Sequence, residues 1–225
     1  MRHLQIIFTI ILTHLIGFTA LGQFDANLKY GLNSSSVITH DAVDALDGIK
    51  VPIQSHFIEG TVGYDIDESF NISTGLNYRV KGFGLDYTID QNIFGFNVPL
   101  GVRAELNVKA LSVPIKLKYR LPIDGIDTYA FAGGGYSFHI NPEIRTTANV
   151  IGEIDLTNFQ ANNLVNDGEA FGHVGLGAAV PWGPGKFFGE ATYEQSFQNY
   201  TSDLILDIPL KNRGFTVGVG YSMPF

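Results

Sequence analysis

Along residues 213–225 apolar and non-apolar positions alternate without a break. Phe215, Val217, Val219, Tyr221, Met223 and Phe225 fall on one side, and Thr216, Gly218, Gly220, Ser222 and Pro224 on the other. A period of two marks a β-strand with one apolar face. The same period recurs in seven earlier segments, at about 24–34, 54–64, 70–81, 106–121, 128–140, 169–182 and 187–200. In the third, Phe70, Ile72, Leu76, Tyr78 and Val80 oppose Asn71, Ser73, Asn77, Arg79 and Lys81. In the fourth, Leu111, Val113, Ile115, Leu117 and Tyr119 oppose Ser112, Pro114, Lys116, Lys118 and Arg120. The second segment is the weakest, because Phe57 falls on its polar side. Pro114 brings no ladder donor, so a bulge is expected there.

Each segment has roughly the ten residues that a tilted strand needs to cross a bilayer. The links between them alternate in length. Those at 35–53, 82–105, 141–168 and 201–212 are long; those at 65–69, 122–127 and 183–186 are short and carry turn residues such as Asp124-Gly125 and Gly183-Pro184-Gly185. Long loops on one side and tight turns on the other, with an even strand count, predict an all-β fold: an eight-stranded antiparallel up-and-down transmembrane β-barrel that leaves no open edge. Both chain ends fall on the short-turn side. Ala148, Val150, Ile154 and Leu156 predict a further hairpin over 147–159 within the third long link. Aromatics gather at two levels, Phe24, Tyr64, Phe70, Tyr119, Trp182, Phe187 and Phe225 near the turns and Tyr78, Phe138 and Phe197 near the loops, as two interfacial girdles would.

The N-terminus changes the picture of the mature chain. Arg2 and His3 precede an apolar run over 4–21 that closes on Ala20-Leu21-Gly22, the pattern of a signal peptide over residues 1–22, cleaved to leave Gln23 first. Residues 23–225 then form one domain. The chain has no cysteine, which excludes disulfides, thiol catalysis and Cys-based metal sites. With 17 Phe, 10 Tyr and 26 Gly but only 16% charged residues, it suits β-structure against lipid. The net charge of −8 argues against nucleic acid as a partner. Much of that charge sits in the links, at Asp41, Asp44, Asp47, Asp86, Asp90, Asp155 and Asp203, where acids serve solvation.

The candidate chemistry lies on the non-apolar faces, which a barrel would turn toward one lumen. They carry Lys29, Arg79, Lys81, Lys116, Lys118 and Arg120 with Asp25, Glu59, Glu190 and Glu194. Eight strands enclose a space that side chains fill, and an unpaired ion there costs several kcal/mol. A structural salt-bridged plug is therefore expected, with Glu59, Glu190 and Glu194 meeting Lys116, Lys118 and Arg79. Gly133, Gly135, Gly175, Gly177, Gly218 and Gly220 are expected to let the strands bend around a narrow barrel. His40, His56, His139 and His173 with Ser137, Ser196 and Glu194 are the candidates for acid, base and nucleophile. Ser137 and His139 stand two apart on one strand face, too loose a constraint to define a pair, so no enzyme is expected. Asp41, Asp44 and Asp47-Gly48 miss the calcium-loop spacing, and neither a metal nor a cofactor is expected.

The closing strand, with Phe225 last and Tyr221 before it, resembles that of bacterial outer-membrane barrels, which implies a signal read by the barrel-assembly machinery. The run from Leu111 to Tyr119, then Tyr129 to Tyr136, Gly175-Leu176-Gly177-Ala178 and Glu190-Ala191-Thr192-Tyr193, resembles the porin-like, PorT-type outer-membrane barrel family of Bacteroidota. Ser112 stands where that family commonly has an acid. The resemblance spans nearly the whole mature chain and implies the bacterial outer membrane, contact with its lipid and periplasmic termini. It implies no single activity. Some members are accessory parts of secretion, and eight-stranded outer-membrane barrels also include lipid acyltransferases and deacylases. Three readings stay open: a structural or interaction barrel acting through its outer loops, a narrow porin or passive small-solute channel, and an accessory subunit of an outer-membrane secretion or assembly complex with a protein partner.

Overall fold

A computed structural model of the chain describes residues 23–39, 48–93, 96–123, 126–150, 153–161, 165–199 and 210–225. They form ten strands: β1 (Phe24–Thr39), β2 (Lys50–Val51), β3 (Ile53–Asp65), β4 (Phe70–Ile93), β5 (Phe96–Ile123), β6 (Ile126–Val150), β7 (Glu153–Gln160), β8 (Gly168–Trp182), β9 (Gly185–Ser196) and β10 (Leu210–Pro224). Eight of them close an antiparallel ring in the order β1, β3, β4, β5, β6, β8, β9, β10. The first and last strands seal it, paired from Asp25↔Pro224 to Thr39↔Leu210. Outside the ring, β2 adds to β4 and β7 to β6. The fold is the antiparallel eight-stranded barrel that the alternation predicts.

The alternation decides which face looks where. In β1, Asn27, Lys29 and Asn33 are buried while Leu28, Tyr30 and Leu32 stand 61%, 54% and 62% exposed. Ile115, Leu176 and Val217 are likewise more than half exposed on other strands. A soluble protein turns such residues inward, so the outer face of this ring is built for hydrocarbon. Aromatic pairs clip neighbouring strands at the end bearing the termini, Phe24 with Tyr64 at 5.0 Å and Phe70 with Tyr119 at 5.1 Å between ring centres.

Two expectations are corrected and one is met. Residues 82–105 are not a loop: β4 and β5 stay paired through Lys81↔Val108 to Ile93↔Phe96. The hairpin expected over 147–159 forms between the end of β6 and β7, from Glu143↔Gln160 to Asn149↔Glu153. No bulge sits at Pro114, which pairs in register with Gly135; the irregularity lies at Asn107/Lys109 instead. Toward β4 the pairing lapses between Thr74↔Ile115 and Asn77↔Ser112 without a slip, and the Thr74 hydroxyl donates to the Pro114 carbonyl at 2.9 Å. The missing donor is thus absorbed locally.

The strands run on past the expected segments where the polarity of the faces exchanges, as it does partway up β1, β5 and β10. On β5 the outward positions are Leu111, Val113, Ile115, Leu117 and Tyr119, then Lys109, Asn107 and Glu105 above them, while the inward ones change from Lys116 and Ser112 to Val108 and Leu106. On β1, outward Leu32 gives way to Ser34 and inward Asn33 and Ser35 to Val37. On β10, outward Phe215 gives way to Arg213 and inward Asn212 to Leu210. These exchanges on β1, β5 and β10 define a belt where the hydrocarbon-facing surface of those strands ends. The 28 residues of β5 run roughly 90 Å at ~3.3 Å each, about twice what a ~30 Å hydrocarbon core needs at a ~45° tilt. The surplus stands beyond the belt as a sheet of β4, β5, β6 and β7.

Candidate functional site

The interior is layered along the barrel axis. In the middle layer, Lys29 from β1 faces Glu59 across the β1–β3 ladder and lies 2.9 Å from it, and 2.5 Å from Glu190 of β9. Lys116 of β5 reaches Glu59 at 2.5 Å and Glu190 at 3.7 Å. Lys118 stands 3.8 Å from Glu190. The Tyr129 hydroxyl donates to Glu190 at 2.9 Å, and the Asn77 amide to Glu59 at 2.9 Å. In the layer above, Arg79 of β4 spans the bore to pair with Glu194 of β9. Lys81 lies 2.7 Å from Glu194 and 2.8 Å from Glu169, and donates to the Ser137 hydroxyl at 2.8 Å.

Of the ten ions expected on the lumen face, Lys29, Arg79, Lys81, Lys116, Lys118, Glu59, Glu190 and Glu194 project into the bore, all but Lys118 at most 7% exposed, whereas Asp25 and Arg120 line its mouth. Glu169 belongs with them and is absent from the expected set, although it shares the odd-numbered face of its segment with His173, Gly175 and Gly177. Five cations, Lys29, Arg79, Lys81, Lys116 and Lys118, face four carboxylates, Glu59, Glu169, Glu190 and Glu194. The surplus cation is Lys118, at the side of the cluster nearest the chain ends.

Aromatic rings separate the ions. The ammonium groups of Lys29, Lys81, Lys116 and Lys118 lie over Phe57, Phe171, Phe131 and Tyr129 at 5.4, 5.0, 5.3 and 5.2 Å. Desolvated cation–ring contacts of this kind contribute up to about 2 kcal/mol each. The rings need room, and the inward glycines supply it. A Cβ at Gly175 would come within 2.3 Å of the Phe131 ring, and one at Gly218 within 2.7 Å of Phe57. The lumen glycines expected to serve bending thus serve ring packing here. Phe57 and Phe131 look like faults in the alternation, yet each is matched by glycines on the strands beside it.

Beyond the ions an apolar cluster of Val37, Leu106, Val108, Leu210, Ala161 and Val165 joins β1, β5, β10 and the segment after β7. Since β1 and β5 lie on different sides of the ring, the cluster crosses the bore. At the opposite end, a cavity of about 180 Å³ opens beside the chain ends, lined by Asp25, Asn71, Lys118, Arg120, Tyr129 and Phe188 among others.

The other candidates scatter. His56 is on the outer face, stacked on Tyr30 and bonded to its hydroxyl at 2.8 Å. His173 is inside, between the Phe131 and Phe171 rings. Ser137 contacts Lys81 and Ser112, whereas His139 Nδ1 meets the Asn166 carbonyl at 2.6 Å, so the two are not joined. The Ser196 hydroxyl meets the Gln198 carbonyl. Tyr221 donates to the Trp182 carbonyl at 2.9 Å, and the Phe225 ring stacks on Phe24 at 6.0 Å. His40, Asp41, Asp44, Asp47 and the segment 1–22 lie outside the described residues.

The family model for the outer membrane protein beta-barrel domain matches residues 18–222. No curated protein matches the chain in sequence. Similar solved structures include Ail, the attachment invasion locus protein of Yersinia pestis, at 13% identity over 89% of this chain and 99% of that one, with a TM-score of 0.37. Neisserial surface protein A is 11% identical over 89% and 97%, with a TM-score of 0.46. The outer membrane protease OmpT of Escherichia coli is 9% identical over 90% and 97%, with a TM-score of 0.39.

Proposed function

The chain belongs to the outer membrane protein beta-barrel domain family of the bacterial outer membrane, and from that premise we propose that it is a small structural or interaction barrel with a side-chain-filled lumen, acting through its extracellular face. One observation carries the reading: three successive layers of inward side chains stand in the bore, the Lys29–Glu190 layer, the Arg79–Glu194 layer and the apolar cluster of Val37, Leu106 and Val108. A narrow porin would need that stack to part. In planar bilayers the folded protein gives no single-channel steps. Steps whose size changes in Lys116→Gln or Glu190→Gln would establish the channel reading instead.

The tall sheet of β4, β5, β6 and β7 favours the second reading, an accessory subunit of a PorT-type secretion or assembly complex of Bacteroidota, since a bare membrane plug has no use for it. That reading expects a stoichiometric protein partner after purification in mild detergent. In both, residues 1–22 are removed on export, both termini are periplasmic, and Tyr221 and Phe225 are presented to the barrel-assembly machinery. Neither reading includes catalysis, a metal or a cofactor. The Ser137 hydroxyl is taken up by Lys81 and Ser112, and the lipid A mass spectrum of a deletion strain is expected to be unchanged.

A further inference from the structure

The cavity at the mouth beside the chain ends is lined by six charged side chains, Asp25, Asp65, Lys118, Arg120, Asp127 and Lys186. Two ion pairs brace the rim, Arg120 with Asp65 and Lys186 with Asp127, each at 2.5 Å. Two lining charges are left over. Lys118 is the surplus cation of the lumen, its nearest carboxylate 3.8 Å away and shared with Lys29 and Lys116. Asp25 is held by amides alone, those of Asn27 and Asn71. Asn71 is 2% exposed and spends both amide hydrogens, on Asp25 at 2.9 Å and Asp65 at 2.7 Å, while its buried Oδ1 has no hydrogen-bond partner.

Asn71 sits directly opposite Lys118 in the β4–β5 ladder and hydrogen-bonds Asp25 of β1. One small space is therefore lined by both an anion, Asp25, and an under-paired cation, Lys118. Tyr129 and Phe188 supply apolar wall beside them. We propose that this mouth binds a small zwitterion, an amino acid or short peptide, whose ammonium group donates to Asp25 and whose carboxylate meets Lys118.

The test is titration calorimetry of the folded protein in detergent micelles with L-leucine, L-leucinamide and N-acetyl-L-leucine. Leucine is expected to bind about tenfold or more tightly than either blocked analogue, the loss that removing one charged hydrogen bond brings. Lys118→Met is expected to reduce leucine to the level of leucinamide and to leave leucinamide unchanged. Asp25→Asn does the converse, reducing leucine to the level of N-acetyl-leucine. Heat-modifiable gel migration confirms that each variant is folded. Should Lys118→Met fail to fold, the analogues and Asp25→Asn still decide the matter. Equal binding of all three compounds, no heat above the detergent blank, or unaltered leucine affinity in a folded variant would overturn the proposal.

Discussion

On β5 the stretch from Leu111 to Tyr119 keeps its polar side chains inside and its apolar ones outside, and the stretch from Glu105 to Lys109 does the reverse. The same strand carries both arrangements. Its even-numbered residues from Lys116 to Leu106 all face inward, yet they pass from Lys116 and Ser112 to Val108 and Leu106, while the outward series passes from Ile115 and Val113 to Lys109 and Glu105. Backbone pleat sets the direction of a side chain, and the medium outside sets its chemistry. The upper tier stands by ordinary apolar burial, worth ~25 cal/mol per Å². The lower tier cannot, because its apolar residues leave no water behind when lipid already surrounds them. There the ions and the ladder must hold, and an ion pair that loses one member is far worse than none.

The sharpest break in the comparison is expected from Glu190→Gln, which leaves Lys29, Lys116 and Lys118 around a neutral amide. A loss of about 4 kcal/mol is expected in urea unfolding in detergent, followed through Trp182 fluorescence. Next comes the lipid face: Ile115→Arg costs about 3 kcal/mol, whereas the same arginine at Asn107, above the belt, costs less than about 1 kcal/mol. Equal losses at the two sites would erase the distinction between the tiers. Leu106→Ala, in the apolar cluster, costs about 2.5 kcal/mol. Gly175→Ala drives a methyl into the Phe131 ring and costs about 1.5 kcal/mol, against nothing measurable at Gly60, where a Cβ meets open space. Smallest is Lys109→Ala, which removes a solvent-exposed pair with Glu143 at 3.5 Å and changes stability by under about 0.5 kcal/mol.

The eight crossing segments and the facing of their residues are legible in the sequence because period-two patterning is a local property. Lys29, Glu59 and Glu190 fall on one face by spacing alone. Their pairing is not local: Arg79 meets Glu194 only because β4 and β9 lie across the ring from each other. The glycine–ring fit is hidden for the same reason, since Gly175 and Phe131 sit on different strands. The extension over 82–105 is hidden in the sequence because the alternation changes sign near Lys109, so the apolar face of one stretch continues as the polar face of the next. Read with the sign reversed, the same residues locate the belt.

The chain has no cysteine, so single cysteines bearing nitroxide labels can be set one at a time along the outward face of β5, at 103, 105, 107, 109, 111, 113, 115, 117 and 119. In lipid bilayers, electron paramagnetic resonance reports collision with oxygen, which concentrates in hydrocarbon, and with a water-soluble nickel chelate. Labels from 111 to 119 are expected to favour oxygen and those from 103 to 109 the chelate, with the crossover between 109 and 111. A single uniform preference along the whole series, or a crossover below Ile115, would contradict the account.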